Sequence, residues 1–99
     1  MPIEMTLWNL PPNWPLVRHV RGECERLGRT TNASSGWVVL KGDRGAGRPV
    51  VEAQIMLQFS GACIDGAARD PDPFLAVRNA VARVQRKLRE ASRLPPAAA

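Results

Sequence analysis

The chain has 99 residues, 44% of them hydrophobic and 23% charged, and a net charge of +5. That length supports one domain around one modest core, and the hydrophobic content excludes disorder throughout. No apolar run approaches the roughly 20 residues that cross a bilayer and no charged-then-apolar leader opens the chain, so a cytoplasmic protein is expected.

The first element is a strand. Ile3, Met5 and Leu7 alternate with Glu4 and Thr6, the period of a strand with one buried face. "NLPPNWP" breaks the chain, and Asn13 caps a helix with Pro15 in its first turn. Leu16, Val20, Cys24 and Leu27 then form one helical stripe, with Arg18, Arg21, Glu25 and Arg29 away from it and Gly28 as the stop signal. "GWVVLK" predicts a second strand over 36–41, and "GDRGAGRP" a flexible hairpin loop. Val51, Ala53, Ile55, Leu57 and Phe59 alternate with polar residues and Met56, which predicts a third strand with one solvated face. Ser60-Gly61 turns the chain into a weaker fourth strand, "ACIDGAAR", whose Gly66 reads as a bulge. Asp72 as N-cap and Pro73 at the first helical position start the last helix, and "LPPAAA" ends it.

The order is β-α-β-β-β-α, an α+β fold. A strand–helix–strand crossover makes the first two strands parallel neighbours, and short loops make the rest hairpins. The economical packing is a four-stranded sheet with both helices on one face. Residues 1–94 form the single domain and 95–99 a disordered tail.

Residues 74–93 hold six basic side chains and one acid, so this segment alone carries +5, and the other residues cancel at eight of each sign. On a helical wheel Phe74, Val77, Ala80, Val81, Val84, Leu88 and Ala91 occupy an arc of roughly 120°. Arg78, Arg83, Arg86, Lys87, Arg89 and Arg93 fill the opposite arc of roughly 180°. Solvated helix faces usually interleave acids at i, i+4, and here Arg86 with Glu90 is the sole such pair. Arginine binds phosphate bidentately and stacks on bases, so the segregated face points to nucleic acid. A membrane-surface helix fits less well, because the apolar face is needed to cover the sheet.

The element order and the ending "DPDPFLAVRNAVARVQRKLRE" resemble the ribosome hibernation-promoting factor family, also called sigma-54 modulation or ribosome-associated inhibitor proteins. Phe74, Ala76 and Val77 fit its "YAAI" segment, Arg83-Val84 its K-L, and Arg86-Lys87-Leu88 its R-Q-L. "VVL" at 38–40 and the Ser60-Gly61 turn also match, and the resemblance spans residues 2–93. Arg78 stands where the family has aspartate and Lys87 where it has glutamine, both of which raise the charge. The resemblance implies a short-type member that binds small-subunit rRNA in the mRNA and tRNA channel and inactivates idle ribosomes, in stress or stationary phase, by steric occlusion. Arg83, Arg86 and Lys87 are the best match to its basic run. Arg78, Arg89 and Arg93 extend that face by geometry, and Arg18, Arg21 and Arg29 are candidates on the first helix, diluted by Glu23 and Glu25.

Two other readings stay open: a module that docks an acidic protein through the same face, and a general binder of double-stranded RNA. No enzyme, cofactor, metal or small-molecule substrate is expected. Cys24 and Cys63 lack metal spacing and read as reduced thiols, Cys63 in or near the core. His19 points away from the stripe that holds Cys24, which leaves no dyad. The glycine-rich loop lacks the Gly-Lys-Ser/Thr and following helix of a phosphate loop, although Arg44, Arg48 and Lys41 lie on or near it. Trp8 is expected on the outer sheet face, Trp14 packed where the first helix begins, and Trp37 at the core edge. A monomer is expected, with weak dimerisation through the outer sheet face open.

Overall fold

The structure, a computed structural model, describes residues 1–11, 13–43, 47–59 and 61–93, with side chains through Ala91. The order is β1 (Ile3–Trp8), α1 (Trp14–Arg29), β2 (Ser35–Asp43), β3 (Val50–Phe59), β4 (Ala62–Asp70) and α2 (Pro73–Arg93). The four strands form one sheet in the order β1-β2-β3-β4. β1 runs parallel to β2 with Met5 opposite Val38, and β2, β3 and β4 pair antiparallel with Val38 opposite Ile55 and Ile55 opposite Gly66.

Alternation in the strands decides the layering. Val38 and Leu40, Val51, Ala53, Ile55 and Leu57, and Ala68 turn inward and are buried. They meet Leu16, Val20, Cys24 and Leu27 of α1 and Ala76, Val77, Ala80, Val81 and Val84 of α2 in one core. Full burial of a side chain such as Ile55 contributes about 1.5–3 kcal/mol. Both helices therefore lie on the same face, and the described residues leave the other face of the sheet uncovered.

The helix starts follow their local chemistry. Asn13 Oδ1 accepts from the Leu16 amide at 3.2 Å, and Asp72 Oδ1 accepts from the Phe74 amide at 2.9 Å, so each cap satisfies a backbone donor that the helix cannot.

Several expectations are corrected by tertiary contacts. α1 does not stop at Gly28 but continues to Arg29 with Thr30 as cap, and Gly28 makes room for Met1, whose Cε would lie 3.2 Å from an added Cβ. β2 extends past 41 to Asp43, because Gly42 and Asp43 pair with Val51 and Val50. Gly66 is no bulge, since the β3–β4 register runs through it unbroken. It is a close-approach position: a Cβ there would lie 2.9 Å from the Ala80 carbonyl oxygen and 3.0 Å from the Val84 nitrogen of α2. Cys63 is exposed, not core. Trp14 is 71% exposed instead of packed at the start of α1, and Trp8 is 58% exposed on the outer sheet face as expected. Trp37 turns to that same outer face, where its Nε1 donates to Glu4 Oε2 across the strand pair at 3.1 Å. Ala91, placed on the apolar arc, is exposed, because α2 has by then run past the core. Gly61 has the positive φ of a turn residue, at 78°. Its neighbour Ser60, Arg44 and the 95–99 tail lie outside the described residues.

Candidate nucleic-acid interface

The two helices carry ten basic and three acidic side chains, net +7, and the rest of the chain carries four and six, net −2. Because both helices pack on one face of the sheet, the charge separates by layer. The excess of α2 is thus joined by a smaller one from α1, and the outer sheet face carries none of it.

The basic arc of α2 divides into three groups. Arg83 and Lys87, one turn apart, reach sideways to the edge strand β4. The Arg83 guanidinium donates to the Ala67 carbonyl, and Lys87 Nζ donates to the Asp65 carbonyl at 2.5 Å and lies 3.6 Å from its carboxylate. Two cations therefore occupy backbone acceptors of an edge strand, a position where charge also blocks unwanted strand pairing. Arg78 and Arg89 lie on the opposite flank, with Ala82 and Gln85 between them on the same stripe, facing a groove whose other wall is α1 with Glu23, Arg26 and Thr30. Arg86 stands between the two flanks. Arg93 belongs to α2, and its side chain lies outside the described residues.

On α1, Arg18, Arg21 and Arg29 are exposed. Together with Arg78, Arg86 and Arg89 they make no hydrogen bond or ion pair among the described residues, so six cations are uncommitted. Arg26 is the residue that sequence reasoning passed over. It pairs with Glu23 and lines the groove opposite Arg78. The spacing His19, Glu23, Arg26, Thr30 is the signal that could have found it, since these positions form the flank of the buried stripe that faces α2. The expected Arg86–Glu90 pair does not form among the described residues. Arg48, beside the β2–β3 loop, is exposed, as is Lys41 on the outer sheet face.

His19 does not point away into solvent. Its ring lies 5.2 Å from that of Phe74, in tilted contact between the helices, and its Nε2 is buried without a hydrogen-bond partner among the described residues. Cys24 is buried, and burial, reinforced by Glu23 and Glu25, pushes its thiol from 9.0 up to about 11. Such a thiol is a core residue and a poor nucleophile. Among the described residues no group of three His, Cys, Asp or Glu side chains could hold a metal ion, and no helix is long and apolar enough to cross a membrane.

Solved structures share this architecture. A ribosomal subunit interface protein from Coxiella burnetii is similar with a TM-score of 0.80 at 15% identity, over 93% of this chain and 98% of that one. The N-terminal domain of Protein Y from Thermus thermophilus is similar with a TM-score of 0.74 at 22% identity, over 92% and 99% of the two chains. No family model matches the chain, and no curated protein matches it in sequence. The chain has the fold of these two proteins, the fold that its resemblance to the hibernation-promoting factor family implied.

Proposed function

We propose that this protein is a ribosome-associated translation regulator that lays its helix layer on small-subunit rRNA and inactivates idle ribosomes by occlusion. The observation that carries the reading is the helix layer of net +7, on which Arg18, Arg21, Arg29, Arg78, Arg86 and Arg89 are exposed and have no partner among the described residues. The likeness in fold to a ribosomal subunit interface protein supports the choice of partner. Arg83 and Lys87 act as secondary contacts, because each must share its donors with β4. Arg93 extends the same helix. The mechanism needs no cofactor or small-molecule substrate and no chemical step. It acts in the cytoplasm, where ribosomes are.

Cosedimentation of the purified protein with small subunits, large subunits and intact ribosomes across a salt series tests this. Pelleting with small subunits and intact ribosomes is expected, with a log–log salt slope on the order of −4 if about six phosphates are neutralised. No pelleting at low salt defeats the proposal. If association in lysate survives RNase and no rRNA copurifies, the basic face serves an acidic protein instead. Equal affinity for any RNA duplex identifies a general double-stranded RNA binder.

A further inference from the structure

The groove between the helices ends in a cleft of which phosphate binding by the exposed arginines uses only the rim, at Arg89. It lies at the C-terminal ends of α1 and α2, where β3 also ends, and has a volume of about 690 Å³. That is within the roughly 300–1,000 Å³ of small-ligand clefts. The floor is apolar, formed by Leu27, Phe59 and Leu88, and the rim holds Asn32, Gln85 and Arg89. Asn32 and Gln85 are exposed, and neither amide has a hydrogen-bond partner among the described residues.

Three chemistries thus meet in one place. An apolar floor with an aromatic ring suits the face of a base. Side-chain amides offer both donors and acceptors, as the edge of a base requires. The Arg89 guanidinium suits the phosphate. An aliphatic occupant would use the floor and gain nothing from the two amides and Arg89, which stay hydrated on the exposed rim. The cleft also opens onto a layer of net +7, which attracts an anionic ligand and repels a cationic one.

We propose that this cleft receives one unstacked nucleotide of the bound RNA, its base against Leu27, Phe59 and Leu88 and its phosphate on Arg89. The inference rests on the RNA-binding reading above and adds a preference to it: RNA with an extruded nucleotide is held more tightly than continuous duplex.

The probes are two RNA hairpins that differ only at one unpaired position, which carries a natural nucleotide in one and an abasic site in the other. The full chain is expected to bind the natural hairpin about five- to tenfold more tightly, the low end of what stacking one base contributes. The Leu27 and Leu88 methyl and Phe59 ring resonances shift with the natural hairpin and not with the abasic one. Equal dissociation constants overturn the inference, and so does a preference in which those resonances stay unmoved. A chain that cosediments with small subunits yet treats both hairpins alike loses this inference and keeps the proposed function. One that neither cosediments nor binds either hairpin loses both.

Discussion

Gly66→Ala puts the fit of the basic helix against the sheet to a direct test. The added Cβ would lie 2.9 Å from both the Ala80 carbonyl oxygen and Val84 Cγ2, and 3.0 Å from the Val84 nitrogen. Ordinary carbon contacts are about 3.5–4.0 Å. Two of the three neighbours are backbone atoms of α2, so relief requires α2 to move outward by about 0.6 Å to reach that range. Ala76, Val77, Ala80, Val81 and Val84 move with it, and all five are buried. Overpacking of this kind costs about 1–3 kcal/mol. The smaller unfolded-state entropy of alanine returns about 0.4–1 kcal/mol. From the mid-range of the two terms the net loss is about 1.3 kcal/mol, or roughly 5–10 °C in Tm for a domain of this size. Thermal and urea unfolding followed by circular dichroism read it. Gly22→Ala is the control, because a Cβ there meets nothing within 4 Å on the exposed side of α1. It should stabilise by up to about 1 kcal/mol. If Gly66→Ala is as stable as wild type while Gly22→Ala behaves as expected, the close approach of α2 to β4 does not hold.

Other outcomes follow from the placement of single groups. Arg86→Ala should leave the urea midpoint unchanged and weaken ribosome cosedimentation, whereas Arg83→Ala should also cost up to about 1 kcal/mol, because it leaves the Ala67 carbonyl without its partner. Equal stability of the two variants would contradict that division. Treatment of the native protein with a thiol reagent near pH 8 should modify Cys63 alone, with Cys24 reacting only after unfolding, and mass spectrometry counts the labels. The raised Cys24 pKa also has a pH signature. Between the ordinary 9.0 and about 11 the unfolded thiol loses its proton while the folded one keeps it, so this contribution is full below pH 9 and is lost as pH rises to about 11. The stability difference between wild type and Cys24→Ala should narrow across that interval, and a constant difference would count against the burial argument.

Most of the fold was legible because local patterns and global packing agree. Alternation in Ile3, Met5 and Leu7 and in Val51 to Leu57, the stripe Leu16–Val20–Cys24–Leu27, and the caps Asn13 and Asp72 each identify an element without knowledge of its neighbours. The misread glycines are those whose residue type answers to a distant segment. Gly28 answers to Met1 and Gly66 to Ala80 and Val84, which no local window contains. Cys63 and Trp37 face outward because strand register, not hydrophobicity, assigns their side.

The same boundary runs through the candidate site. That α2 has a basic arc opposite an apolar one is legible from the chain alone, since a helical wheel needs only the order of residues. The order alone does not divide that arc. Whether Arg83 and Lys87 or Arg78 and Arg89 look toward β4 depends on which side of the helix the sheet edge lies, and that is set by where α1 and β4 flank α2. Packing shares Arg83 and Lys87 with a strand edge and brings Arg26 and a cleft against Arg78 and Arg89. Charge belongs to a residue, whereas its availability depends on what packs beside it.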